Sequence, residues 1–211
     1  MSSIGLNFTP TSLTPEETEV AAFGLQLGVP GWSPLPEVGT EVKNVKQIVG
    51  GDTFLNREFT QSNISQQIAE KEYSVVHLAT HGYFGGIAET SFVLAYDKKI
   101  SVLELEGILS RSKQITNLLV LSACETALSS DRSLLGLAGV AARSGVESTI
   151  GTLWSVMDDD QSEMITAFYR YWQTSGYDKA IALSKLQLEQ IELFAHPKKW
   201  AALTLIGDYS D

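Results

Sequence analysis

Residues 73–82 read YSVVHLATHG and residues 117–124 read NLLVLSAC. Each is a short, nearly continuous apolar run that stops at a reactive side chain, His81 in the first and Cys124 in the second. Runs of this length without alternation suit strands that are covered on both faces, as in parallel sheets. Around them, other apolar runs alternate with amphipathic stretches. That pattern predicts an α/β sandwich with a mostly parallel central sheet flanked by helices. Open parallel sheets gather ligands at the carboxyl ends of their strands, where the loops converge. If the two runs are neighbours, His81 and Cys124 emerge on one edge.

The remaining elements follow from spacing. A first strand is predicted over Val20 to Leu27, followed by the proline-broken loop PGWSPLPEVG. Val38, Val42, Val45 and Val49 recur at helical spacing, and Gly50–Gly51 stops that helix. A short strand is expected at Thr53 to Leu55. Thr60 can cap a helix bearing Ile64 and Ile68. HGYFGG after the first run reads as a loop, and SFVLAY (91–96) as a strand. Ser101 and Glu104 have capping-box spacing for a helix through Leu109. A small-residue helix is expected at 134–143, a strand at 146–154, and helices at about 158–172 and 177–193. WAALTLIG (200–207) closes the sheet.

Composition narrows the class. The chain has 211 residues, 44% hydrophobic and 19% charged, enough for a globular α/β domain with a real core. Its net charge of −10 argues against nucleic acid and against anionic membranes, which call for a basic face. No apolar run has membrane-spanning length and no signal-peptide pattern opens the chain, so a cytoplasmic location is expected. The polar, Ser/Thr-rich start reads like the cut end of a module belonging to something larger. A single cysteine excludes an intrachain disulfide and a multi-cysteine zinc site. No phosphate-binding glycine loop or metal-ligand spacing is present, and no cofactor is expected.

A cysteine beside a histidine at a sheet edge is a nucleophile–base arrangement. The thiolate attacks, and a free thiol with a pKa of about 8.5 is only partly ionised at neutral pH. An imidazole can take its proton and later return it to a leaving amine. A lone cysteine at a strand end is more often a small buried hydrophobe, so context must decide. His77 lies inside its strand and is expected to be a core histidine bonded to a neighbour. His196 reads as a surface loop residue. Only His81 stands on a glycine-flanked turn.

VVHLATHGYF and LLVLSACETAL resemble the two motifs of CHAT domains, caspase-like cysteine peptidases often joined to tetratricopeptide repeats. The general caspase pattern has the histidine about 50 residues upstream of the cysteine. LGLAGVAARSGVESTIGTLWSVMDDD, AHPKKWAALTLIGDY and PLPEVGTEVKNVKQIVGG are also similar to that family, so the likeness covers roughly residues 30 to 209. It divides the chain into an N-terminal segment with the first strand (1–29) and the caspase-like domain (30–211). It implies His81 as general base and Cys124 as nucleophile, with the backbone N–H groups of Gly82 and Cys124 as oxyanion donors. Glu125 and Thr126 complete the SACET motif and receive no catalytic role. It implies a protein substrate and an attached or partner regulatory domain of tetratricopeptide-repeat or sensor type.

Asp158, Asp159 and Asp160 open a predicted helix, where acidic residues are favoured by the dipole and the free N–H groups. LWSVMDDD also resembles the matching stretch of separase, a related peptidase that cuts after arginine. On that reading Asp158, or else Asp160, lines the pocket for a basic side chain, and Trp154 lines the groove. Trp172 and Trp200 are expected in the core. Two other readings compete: a catalytically silent interaction module that keeps the fold, and a cysteine hydrolase of small esters or amides. The second lacks the nucleophile-elbow motif.

Overall fold

In the computed structural model, which describes residues 18–84, 90–123, 145–176, 178–193 and 196–207, the two apolar runs are neighbouring parallel strands. The described strands are β1 (Val20–Gly24), β2 (Gly51–Leu55), β3 (Val75–Thr80), β4 (Gly82–Tyr83), β5 (Phe92–Leu94), β6 (Lys99–Ser101), β7 (Leu118–Ala123), β8 (Ser148–Thr152) and β9 (Leu203–Gly207). The described helices are α1 (Val38–Val49), α2 (Gln61–Glu70), α3 (Val102–Leu109), α4 (Asp158–Thr174), α5 (Lys179–Leu193) and the short α6 (Pro197–Trp200). The strand order is β2-β1-β3-β7-β8-β9, parallel throughout except that β9 runs antiparallel to β8.

Side chains alternate across this sheet and fill two apolar layers. Phe23, Leu78 and Leu121 face α2 and α3, meeting Ile64, Ile68, Leu105 and Ile108. Val20, Val75 and Val120 face the other way, toward Val42 and Val45 of α1, Phe168 and Trp172 of α4, and Leu186 of α5. Each such fully buried side chain contributes about 1.5–3 kcal/mol. The result is an α/β/α sandwich. Among the described residues, no helix is long and apolar enough to cross a membrane.

Local chemistry sets the element ends. The four valines of α1 are buried, and Gly50 ends the helix at φ 81°. A Cβ on Gly51 would lie 2.1 Å from the Val20 carbonyl oxygen, so only glycine lets β2 start beside β1. Thr60 accepts from the Asn63 N–H, and the Ser101–Glu104 capping box is complete.

Three expectations need correction. β1 stops at Gly24 rather than Leu27, because the Gln26 and Leu27 N–H groups donate to the Asn56 side chain instead of a neighbouring strand. HGYFGG is not all loop: Gly82–Tyr83 pairs with Phe92–Val93, and β4, β5 and β6 form a separate three-stranded antiparallel sheet. Trp200 is only half-buried, and it ends α6 rather than starting β9; Pro197 in the first turn and His196 as cap make that turn helical. The helix expected at 134–143 lies outside the described residues.

Candidate active site

All five parallel strands point their carboxyl ends to one edge, and β3 and β7 end there in register. Thr80 pairs with Ala123, so His81 and Cys124 are the next residues along two hydrogen-bonded strands. Cys124 itself, with Glu125 and Thr126, lies outside the described residues. β8 reaches the same edge, where the Thr152 hydroxyl donates to the Ala123 carbonyl at 3.5 Å.

His81 is held on several sides. Its carbonyl accepts from Leu94 N–H at 2.8 Å, and the preceding Thr80 hydroxyl donates to the Leu94 carbonyl at 2.6 Å. Its ring lies 2.8 Å, through Nε2, from the Ser33 carbonyl oxygen. A carbonyl can only accept, so Nε2 carries the proton, and Nδ1 is the acceptor nitrogen of the neutral ring. Trp32 covers the ring, with centroids 5.0 Å apart and planes tilted by 40°. Phe92 meets Trp32 edge-on at 5.9 Å, and the Lys99 ammonium lies 4.2 Å from the Phe92 centroid. Trp32 and Ser33 were not legible as site residues. A backbone carbonyl leaves no side-chain signal, and the only hint was an aromatic residue in a proline-rich loop.

Gly82 is buried against the residue that precedes the cysteine. A Cβ there would lie 3.0 Å from the Ala123 Cβ and 3.1 Å from the Phe84 ring. Its bare backbone therefore lets β4 approach the end of β7 closely.

His77 does other work. It is fully buried, with Nε2 2.9 Å from the Glu41 carboxyl and Nδ1 3.2 Å from the Tyr169 hydroxyl. Burial, with the Glu41 charge adding to it, pushes the Tyr169 phenol well up. This network ties β3 to α1 and α4 as a core feature. His196 is exposed, and its Nδ1 accepts from the Lys198 N–H.

The acidic cluster opens α4 on the same edge. Asp158 is half-buried, and its Oδ2 accepts from the Glu37 N–H at 2.9 Å, at the start of α1. Burial pushes its carboxyl up from the ordinary value; the Glu37 N–H works against this, and Glu41, Glu37 and Asp159 add to it. Its other oxygen has no hydrogen-bond partner among the described residues. Asp159 is exposed and accepts from the Asp160 N–H. Asp160 pairs with Lys199, and both line a cavity of about 440 Å³ with Ser155, Val156, Met157 and Lys198. The Trp154 indole donates to the Lys198 carbonyl at 2.7 Å beside that cavity. No hydrogen bond joins His81 to Asp158 or Asp160 among the described residues. No three His, Cys, Asp or Glu side chains converge into a metal-holding group among those residues.

Comparison with known proteins agrees with this layout. The chain superposes on the Arg-specific cysteine proteinase gingipain R with a TM-score of 0.56, at 15% identity, covering 94% of this chain and 48% of that one. It superposes on the complex of the pro- and mature domains of RgpB from Porphyromonas gingivalis with a TM-score of 0.63, at 12% identity, covering 93% and 49%. The chain thus spans about half the length of these proteins, and at such identities the likeness establishes the fold alone: a caspase-like α/β/α sandwich. No curated protein sequence matches it. The CHAT domain family model matches residues 6–208, so its span takes in β1, an interior strand of the sheet, as well as both motif strands. The chain belongs to the CHAT domain family.

Proposed function

We propose that this chain is a cysteine endopeptidase domain in which His81 activates the Cys124 thiol. The observation that carries the reading is the pairing of Thr80 with Ala123, which makes the histidine and the cysteine successive to paired residues on adjacent strands. The tautomer supports it, because Nε2–H donates to Ser33 O and Nδ1 is left as the base. In this scheme Nδ1 takes the thiol proton and the thiolate attacks the scissile carbonyl carbon. The oxyanion of the tetrahedral intermediate sits against the N–H groups of Gly82 and Cys124; losing one such donor typically costs about 2.7–4 kcal/mol. The C–N bond then breaks, the imidazolium returns its proton to the leaving amine, and water hydrolyses the acyl-enzyme with His81 again as base.

The preferred residue before the cut bond is basic, Arg over Lys. Support comes from the half-satisfied Asp158 carboxylate, from Asp160 in the adjoining cavity, and from the arginine specificity of gingipain R. A guanidinium offers a planar fork that a carboxylate binds with two charge-assisted hydrogen bonds. Trp154 stands beside the same groove. The substrate is a protein, and control comes from an attached or partner domain of repeat or sensor type.

A library of peptides, cut by wild type and by Cys124→Ala and His81→Ala, tests the proposal. Cleavage after Arg or Lys that both substitutions abolish supports it. Absence of any cleavage, together with Cys124 labelling by a peptide warhead no faster than a free thiol, assigns the chain to a silent interaction module instead.

A further inference from the structure

The stretch between β1 and α1 supports the His81 ring, and a residue outside that stretch governs where it starts. β1 makes its last ladder contacts at Gly24, opposite Leu55, and through the Leu25 N–H, which donates to the Ala79 carbonyl at 2.9 Å. The next two N–H groups, of Gln26 and Leu27, both donate to Oδ1 of Asn56, at 3.0 and 2.9 Å. Asn56 directly follows β2 and has φ 55°, the only non-glycine positive φ among the described residues. Asparagine tolerates this left-handed conformation better than most side chains do.

From Gln26 the link to the ring is short. The Gln26 carbonyl accepts from Leu35 N–H at 3.0 Å, which closes residues 26–35 into a loop. Inside it, the Trp32 N–H donates to the Val29 carbonyl at 2.8 Å, forming a turn that presents the Trp32 ring and the Ser33 carbonyl to His81. The two groups that fix the imidazole thus belong to a loop whose first residues hang on one side-chain oxygen.

We infer that Asn56 is a positioning residue for His81, acting through the 26–35 loop; its bearing on catalysis rests on the peptidase reading above. Its acceptor oxygen fixes the exit of the chain from β1, and so the place of Ser33 O and of the His81 ring that donates to it. Reacting groups displaced by about 1 Å can lose on the order of 10²-fold in rate.

The test compares Asn56→Gly with Asn56→Asp in the full chain. Glycine keeps the positive φ without strain and removes the acceptor, whereas aspartate keeps the acceptor. Asn56→Gly should lower kcat by about 10- to 100-fold with KM nearly unchanged, and Asn56→Asp should restore most of it. Ring-nitrogen NMR shifts of His81, which report the proton-bearing nitrogen, should show the Nε2–H tautomer in wild type and Asn56→Asp and a mixture of tautomers in Asn56→Gly. If Asn56→Gly does not fold, Asn56→Ser takes its place, since its short hydroxyl does not reach both N–H groups. An Asn56→Gly protein with wild-type kcat or an unchanged ring signal overturns the inference, as does Asn56→Asp behaving like Asn56→Gly. If wild type cleaves nothing while the ring signals respond as described, the peptidase reading falls and the positioning of His81 by Asn56 stands.

Discussion

Replacing Asp158 by Asn and by Ala separates its two possible roles by stability and by specificity. In the structure its Oδ2 accepts from the Glu37 N–H at the start of α1, a bond of the helix-capping kind. Losing such a cap costs about 1 kcal/mol, within a range of roughly 0.5–2. In a chain of this size that lowers Tm by about 2–4 °C per kcal/mol. Asp158→Ala should show this loss. Asp158→Asn keeps an acceptor oxygen without the charge, and the sign of its effect follows from the raised carboxyl. Asp158 has a folded-state pKa above its ordinary 3.8, so its ionised form is penalised by burial in the folded state. That penalty is full above the folded pKa and absent below 3.8. Asp158→Asn should therefore match or exceed wild-type Tm at neutral pH, the gap closing as pH falls through the carboxyl titration. Against peptides, the same variant removes a charge-assisted contact worth about 1.5–3 kcal/mol. kcat/KM for an arginine substrate should then fall by about 10- to 150-fold relative to its citrulline analogue. Paired Tm-versus-pH curves and the two-substrate ratio decide the matter. An unchanged arginine preference in Asp158→Asn would refute Asp158 as the specificity carboxylate and leave it a helix cap, with Asp160→Asn as the next variant.

Three further outcomes are expected. His77→Ala should destabilise the fold by about 3–5 kcal/mol, measured by denaturant unfolding, because Glu41 and Tyr169 lose their buried partner. Glu104 is held down to about 2, first by Lys98 and then by Ser101, from an ordinary 4.5; its stabilising contribution is present above 4.5 and lost as pH falls toward 2. Glu104→Gln should thus flatten the Tm-versus-pH curve over that interval. On the regulation proposed above, the isolated domain should turn over peptides more slowly than the same domain joined to, or stimulated by, a repeat or sensor domain, as read by initial rates of both.

The parts of the fold that were legible in the sequence are those decided locally or by burial on both faces. β3 and β7 carry nearly continuous apolar runs, the α1 valines keep one helical face, and Thr60 and Ser101 cap in the way their spacing announces. What escaped depends on partners distant in sequence. Gly82–Tyr83 becomes a strand only because Phe92 and Val93 pair with it, and β1 ends early because Asn56, some thirty residues on, takes its next two N–H groups. His81 was legible from its glycine-flanked turn. Its support from Ser33 is a backbone carbonyl, to which any residue type contributes equally, so side-chain patterns carry no trace of it.

The most direct test of the His81–Cys124 dyad is the rate at which an arginyl peptide warhead alkylates Cys124, followed by mass spectrometry in wild type, His81→Ala and His77→Ala. The dyad predicts rapid, single-site labelling of wild type, a loss of about 10²-fold or more in His81→Ala, and near-wild-type labelling of whatever fraction of His77→Ala is folded. Labelling of wild type at the rate of a free thiol, or equal rates in wild type and His81→Ala, would contradict it.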